Sequence, residues 1–127
     1  MSQNIAHEPF PLKELSKRLK AVRVKMREQN LDGLIVSTPE NIYYLTGLDH
    51  WGFFACHILI VPLEGELVIV ARAMEGATVS NQVRNARFEG HADTQDTGKF
   101  FASIINYNSF YVQTVWYLCF TGSYGSI

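Results

Sequence analysis

The sequence has little of what marks disulfide-stapled or membrane-spanning proteins. Only two of its 127 residues are cysteine, Cys56 and Cys119, and neither belongs to a C-x-x-C pair, so a zinc ribbon or a thioredoxin-type redox site is unsupported. No apolar run approaches the ~20 residues that cross a bilayer. The N-terminal stretch MSQNIAHEPFPLKEL also lacks the basic-then-apolar order of a signal peptide. We therefore expect a soluble, cytoplasmic protein with two buried free thiols and no membrane partner.

The chain also lacks an excess of charge of one sign. It has 11 Lys and Arg against 12 Asp and Glu, which gives a formal net charge of -1. Proteins that bind polyanions usually carry a basic excess, so we expect no nucleic-acid partner. The length suits one domain, which buries roughly two-thirds of the surface that the unfolded chain exposes.

The sequence offers no convincing metal site. Its histidines are scattered at His7, His50, His57 and His91. The pair His91 and Asp93 is spaced to share one face of a strand, but two ligands fall short of the three or four that a zinc site needs. We predict no metal in this chain, with His57 hydrogen-bonded in the sheet and His91 at a strand end on the surface.

Nucleophile and phosphate motifs are missing as well. Cys56 and His57 are neighbours in a predicted strand, where successive side chains point to opposite faces, so they cannot pair with each other. There is no G-x-S-x-G turn, and the glycines are too dispersed for a phosphate-binding loop. We therefore expect no catalytic residue in this chain.

The apolar pattern predicts an α/β protein. After a polar arm over residues 1–11, apolar residues recur every three or four positions, with basic residues on the opposite face, which we interpret as the solvent side of an amphipathic helix. The stripe consists of Leu12, Leu15, Leu19, Val22 and Met26. Asn30 and Gly33 are expected to end that helix. The run Leu34-Ile35-Val36 then predicts a buried strand.

Local signals predict the elements that follow. Pro39 and Gly47 suit the first and the C′ positions of a short helix over 39–46. The run ACHILIVPLEGELVIVARA predicts a β-hairpin buried on both faces. Residues 74–83 are a helix candidate, Arg87-Phe88-Glu89 suggests another strand, and 93–97 resembles the start of a helix.

The stretch TPENIYYLTGLDHWGFF carries an unusual density of aromatic rings, which are costly to leave in water. A second aromatic stretch, residues 98–127, has almost no charge, and Lys99 is its last charged side chain. We interpret 98–127 as a divergent tail that forms one or two terminal strands or else stays exposed.

Three segments in this order resemble the amino-terminal domain of the creatinase, prolidase and Xaa-Pro aminopeptidase family over roughly residues 12–96. They are RLKAVRVKMREQNLDGLIVS, the signature-like NIYYLTG at 41–47, and PLEGELVIVARA followed by Met74 and Glu75. The resemblance implies a domain over 12–97 with a ribonuclease-H-like α/β fold, a mixed sheet flanked by helices, and no nuclease activity. Relatives continue with a proline and an amphipathic helix where this chain reads Thr97-Gly98-Lys99-Phe100. The tail is therefore expected to be truncated, frame-altered or divergent from the family.

In full-length relatives this domain precedes a larger pita-bread catalytic domain, in which the peptidases bind a pair of divalent metals and use metal-bound water as the nucleophile. The resemblance places the loop after the YLTG turn near an active-site mouth, often that of a partner subunit. It thus implies a homo-oligomer, a dimer, and marks Asp49, His50, Trp51 and Phe53 as substrate-binding candidates, with Phe54 beside them. Tyr43, Tyr44 and Phe54 are expected in the core, and for His50 and Trp51 both interpretations stay open.

Arg72 is the other substrate-binding candidate, because an arginine at a strand end can present a two-pronged donor to a carboxylate. A structural ion pair with Glu75 or Glu40 is the alternative. The resemblance implies a non-catalytic accessory domain of a hydrolase that cleaves a C–N bond in a small substrate such as an Xaa-Pro dipeptide or creatine. The rival hypothesis is a stand-alone interaction module that uses its aromatic tail to bind another chain.

Overall fold

The computed structural model describes residues 9–49, 57–96, 99–100, 102–104, 115–118 and 124–126. The helices are α1 (Leu12–Glu28), α2 (Pro39–Thr46) and α3 (Gly76–Gln82), with a 3₁₀ turn at Ala73–Glu75 before α3. The strands are β1 (Gly33–Val36), β2 (Ile58–Pro62), β3 (Leu67–Arg72), β4 (Ala86–His91), β5 (Val115–Leu118) and β6 (Tyr124–Ser126).

The described strands form one mixed sheet in the order β4-β3-β2-β1-β5-β6. β2 runs antiparallel to both β1 and β3, whereas β4 is parallel to β3 and β5 is parallel to β1. β6 completes the sheet as an antiparallel partner of β5. The predicted fold class, a mixed sheet flanked by helices, is confirmed, and parts of the aromatic tail are strands.

The first two helices begin and end close to the positions that the sequence predicted. α1 ends at Glu28, and Asn30 has a φ of 57°, a left-handed conformation that asparagine tolerates better than most residues. Pro39 opens α2, and Gly47 follows it with a φ of 77°. The Thr38 hydroxyl accepts a hydrogen bond of 2.6 Å from Asn41 Nδ2, and it caps no backbone N–H.

α1, α2 and α3 cover the first face of the sheet. Their apolar residues meet those of the strands in one cluster, because the strand residues of alternate positions face the same side. Its members are Met26, Leu31, Val36, Ile42, Leu45, Leu48, Leu59, Val61, Leu67, Ile69, Val79 and Val83. Both strands of the hairpin are almost wholly buried, as their apolar sequences predicted.

The second face carries a smaller cluster of Ile60, Val68, Val70 and Ile104, with Ile58 and Phe100 packed against it. Residues 99–100 and 102–104 are helical. Asp96 starts this helix, because its Oδ1 accepts a hydrogen bond of 3.0 Å from the Lys99 N–H. Phe100 and Ile104 of this helix pack on the second face of the sheet. The boundary between domain and tail at residue 97 stays a prediction.

Arg23 fastens α1 to the hairpin. Its Nε donates a hydrogen bond of 3.1 Å to Pro62 O, and its Nη2 bonds Gly65 O. Partial burial lowers the pKa of Arg23, and Arg27 lowers it further, against a smaller raising effect of Glu64. The guanidinium stays charged at neutral pH, so the carbonyl oxygens of Pro62 and Gly65 each accept a hydrogen bond from a charged donor.

Candidate functional site

The turn after α2 fixes where the candidate loop starts. Thr46 Oγ1 donates to Ile42 O at 2.7 Å and accepts from the Leu48 N–H at 3.2 Å, so one hydroxyl joins both sides of Gly47. Leu48 is only 1% exposed. The chain therefore enters the loop from a buried and hydrogen-bonded position.

Asp49 is exposed, and its backbone is tied to another element. The Asp49 N–H donates a hydrogen bond of 2.8 Å to Oε1 of Gln82, the last residue of α3. The bond leaves the Asp49 carboxylate available, because it uses only the backbone group. Asp49 is thus the one predicted loop candidate whose placement the structure describes, and it lies on the surface.

The other loop candidates, His50, Trp51 and Phe53, together with Phe54 and Cys56, lie outside the described residues. His57, which directly precedes β2, is 5% exposed. The burial of His57 agrees with the expectation that it belongs to the sheet layer. The described residues that flank positions 50–56 are therefore both held in the fold, Asp49 by its bond to Gln82 and His57 by burial.

Tyr43 and Tyr44 were both expected in the core, and for Tyr44 this is wrong. Tyr44 is 48% exposed, because it lies on the outer side of α2, where the Arg18 guanidinium carbon sits 4.5 Å from its ring centre. Arg18 also covers the ring of Phe10 at 4.0 Å. Tyr43 is half-buried and meets Phe10 edge-on, with ring centres 5.2 Å apart.

Arg72 lies at the end of β3, with its side chain about one-third exposed. Its ion-pair partner is Asp93, with 3.1 Å between Nε and Oδ1, and its Nη2 also contacts the Met74 sulfur. The expected structural partners, Glu75 or Glu40, were wrong, because β4 ends beside β3 and brings Asp93 to Arg72. The Asp93 side chain is 69% exposed, whereas the Arg72 Nε that faces it is buried.

His91 was expected on the surface and is buried, with 4% of its area exposed. It is the register partner of Arg72 in the parallel β3–β4 pair. Its ring lies 5.6 Å from that of Phe100, and Nδ1 is 3.1 Å from Ala92 O. Nε2 has no hydrogen-bond partner among the described residues. The helix that carries Phe100 covers this end of β4, and no local sequence pattern predicted that contact.

The structure separates two of the predicted site residues. Asp49 is tied to Gln82, just before β4 begins at Ala86, whereas Arg72 pairs with Asp93, just after β4 ends at His91. A six-residue strand spans roughly 16–20 Å. The partners of Asp49 and Arg72 therefore flank opposite ends of β4.

Sequence reasoning missed two residues that organise these positions. Gln82 lies in a helix candidate with no distinctive pattern, and its role appears only once α3 is packed beside the loop. Asp93 was considered as a metal ligand, and its pairing with Arg72 depends on the register of β4. Within the described ranges, no three His, Cys, Asp or Glu side chains group as a metal site. No described helix has the length and apolar character of a membrane span.

These elements match a known family. The family model described as the Creatinase/Prolidase N-terminal domain aligns with residues 18–112, most of the chain. The chain belongs to this family. The match continues past residue 96, where the resemblance of the sequence motifs ends, and so takes in the helix that carries Phe100 and Ile104.

Among curated proteins, the chain is similar to the ectoine hydrolase of Halomonas elongata, with 39% identity over 67 residues. The aligned part covers 53% of this chain and only 17% of that enzyme. The chain therefore matches less than a fifth of the length of this relative.

Solved structures show the same fold. The N-terminal domain of an Xaa-Pro dipeptidase from Lactobacillus brevis superposes with a TM-score of 0.73 at 18% identity, covering 80% of this chain and 75% of that one. The Creatinase/Prolidase N-terminal domain of an X-Pro dipeptidase from Streptococcus pyogenes gives a TM-score of 0.63 at 22% identity, covering 69% and 66%. At these identities the likeness establishes the fold alone.

Proposed function

We propose that the chain is the non-catalytic N-terminal domain of a creatinase-like or Xaa-Pro-peptidase-like hydrolase, and that it contributes to oligomerisation and shapes the substrate pocket of a separate catalytic domain. The observation that carries the proposal is the match of residues 18–112 to the Creatinase/Prolidase N-terminal domain. The described residues on either side of 50–56 are held in the fold, Asp49 by its backbone bond to Gln82 and His57 by burial.

In this proposal Asp49, His50, Trp51 and Phe53 contact substrate at the pocket mouth. Aromatic rings supply apolar contact area, and a few polar groups orient a small ligand. Arg72, at the other end of the sheet, is proposed to bind a substrate carboxylate once its ion pair with Asp93 has opened. Because the partners of Asp49 and Arg72 flank opposite ends of β4, we propose that the two residues serve different parts of the mouth.

The chemistry is proposed to reside in the catalytic domain. The parent reaction is hydrolysis of a C–N bond, with a divalent metal pair in peptidase-type relatives supplying the activated water. The dimeric state and the cytoplasmic location are parts of the same proposal. In this proposal the residues of this chain bind and orient the substrate and exclude water from the pocket. None of them cleaves the bond.

A domain exchange tests the proposal. Residues 12–126 of this chain, which include β5 and β6, replace the matching N-terminal domain of the Halomonas elongata ectoine hydrolase, and hydrolysis of ectoine is measured. We expect the exchanged enzyme to retain measurable kcat/KM, while the isolated chain has none. A folded chimera without activity, or hydrolysis by the isolated chain, would contradict the assignment.

A second candidate function rests on a separate observation. β5 pairs with β1 over Gly33–Val36, so part of the aromatic tail adds strands to the sheet, as expected if the chain is a stand-alone interaction module. Light scattering and thermal melts of residues 1–97, 1–104 and 1–127 distinguish the accessory domain from the stand-alone module. If 1–104 folds and keeps the oligomeric state of 1–127, the tail is dispensable and the module is excluded. If only 1–127 folds or assembles, the module is favoured.

A further inference from the structure

We propose that β4 is a self-pairing edge through which two copies of this chain join their sheets antiparallel, with the two-fold axis at Phe88. The inference specifies the interface for the oligomerisation part of the proposed function and rests on that part. Among the strands that the structure describes, β4 has a partner, β3, on one side only. An edge strand presents a row of backbone N–H and C=O groups that another strand can pair with.

β4 is better suited to pairing than the strand at the opposite edge. It spans six residues, Ala86–His91, whereas β6 spans three, Tyr124–Ser126. Very short edges offer few ladder bonds. β4 also contains neither proline nor lysine, two residues that commonly block an edge from pairing.

The charges of β4 lie on one face of the sheet. Arg87 and Glu89 are register partners of Val68 and Val70, which belong to the second-face cluster. Opposite residues in neighbouring strands point to the same side. The two charged side chains form an ion pair within the strand, 3.3 Å from Nε to Oε1, and each is a little more than one-third exposed. Phe88 points to the first face and packs against the main cluster.

Charge pairing favours the Phe88-centred register over its two neighbours. A two-fold axis perpendicular to the sheet leaves each face of the two joined sheets on the same side. Residues that lie opposite each other across the new strand pair must therefore point to the same face. This holds when the axis passes through a residue position and fails when it passes between two residues. Centred on Phe88, it sets Arg87 opposite Glu89 of the second copy, twice per dimer. Centred on Arg87 or Glu89, it sets two like charges opposite each other, which is unfavourable. The charges that would deter an unrelated strand therefore favour a second copy in this register.

Neighbouring groups extend the contact beyond the strand. The 3₁₀ turn lies directly over the end of β4, because a Cβ on Gly90 would be 2.9 Å from Ala73 Cα. Next to it, Met74 is 66% exposed, the largest exposure among the large apolar residues described. In the Phe88-centred register Gly90 faces Ala86 of the second copy, so Met74 gains an apolar neighbour there. The interface thus combines backbone pairing, two cross-strand ion pairs and a small apolar contact.

Charge reversal tests the interface on the complete 127-residue chain. The mass is measured by light scattering over a concentration series for wild type, Glu89→Arg and Arg87→Glu. We expect a wild-type monomer–dimer equilibrium, and a dissociation constant about tenfold or more higher for each variant, because two cross-strand attractions become repulsions. An equimolar mixture of the two variants should dimerise again, because the two arginines of one variant's β4 then face the two glutamates of the other's.

Lys25→Glu, at an exposed site on α1, is the matched control and should leave the mass unchanged. The double reversal Arg87→Glu with Glu89→Arg should dimerise like wild type, and melting curves check that each variant is folded. A chain that stays monomeric at every concentration would remove both the dimer and the interface. A dimer that tolerates both single reversals, or a mixture that does not recover, would leave the dimer in place and overturn the β4 interface. Neither outcome bears on pocket shaping, which the domain exchange tests separately.

Discussion

The backbone N–H of Asp49 donates a hydrogen bond of 2.8 Å to Oε1 of Gln82, a residue 33 positions later in the chain. This bond joins the start of the candidate loop to the end of α3. Since α3 packs on β4 and Val79 of α3 lies in the main cluster, the loop starts from a position fixed by the core. The account of the site depends on this anchorage.

Replacing Gln82 with alanine should release the start of the loop. Loss of one hydrogen bond to a neutral acceptor costs about 0.5–1.5 kcal/mol. Amide hydrogen exchange of Asp49 should therefore quicken by about two- to tenfold, by the same estimate. Gln82→Glu keeps an acceptor oxygen and should preserve the protection. Equal exchange in wild type and Gln82→Ala would show that the bond does not hold the loop.

Arg18 joins the arm, α1 and α2. Its guanidinium lies over the rings of Phe10 and Tyr44, pairs with Glu14 at 3.1 Å and donates to Tyr44 O at 2.9 Å. Two cation–π contacts and a charged donor predict a loss of roughly 1–3 kcal/mol for Arg18→Ala.

Lys25→Ala is the matched control for Arg18, because Lys25 pairs with Glu28 on the same helix with 73% of its side chain exposed. Exposed pairs contribute about 0–1 kcal/mol. Denaturant unfolding of both variants gives the comparison. Equal losses of stability would mean that the Arg18 contacts add nothing to the fold.

Gly90 should not accept a side chain. A Cβ there would lie 2.9 Å from both Ala73 Cα and Phe88 Cε1, and the backbone at Ala73 cannot move without shifting the 3₁₀ turn. Overpacking of this kind costs typically about 1–3 kcal/mol. Gly76→Ala is the control, because its Cβ would meet only the Phe88 ring, at 3.1 Å. Thermal melts should rank Gly90→Ala below Gly76→Ala, and the reverse order would contradict this packing.

Much of this architecture was readable from the sequence where a local signal existed. The Leu12 to Met26 stripe, Pro39 with Gly47, and the apolar hairpin each specify an element through periodicity or backbone geometry. Burial of His91, exposure of Tyr44 and the Arg72–Asp93 pair depend on register and on which helix covers which face. Those contacts join residues distant in sequence, and no local pattern encodes them.

Arg72 offers a separate test of substrate binding in the domain-exchanged enzyme. Its pair with Asp93 is partly exposed, and exposed ion pairs contribute about 0–1 kcal/mol, so Arg72→Ala should change stability only modestly. If Arg72 meets a substrate carboxylate, the variant should raise KM by about tenfold or more. Asp93→Asn frees Arg72 and should leave KM unchanged or lower it. Matching rises in KM for both variants would assign the pair a structural role instead.

The most direct test of the account is Trp51→Ala in the domain-exchanged enzyme, with Lys13→Ala, on the exposed side of α1, as the control. If the loop shapes a neighbouring pocket, kcat/KM should fall by about tenfold or more while the melting temperature stays within a degree or two of the parent. Lys13→Ala should change neither quantity. A large fall in melting temperature with unchanged turnover would place Trp51 in the core and contradict the proposed function of the loop.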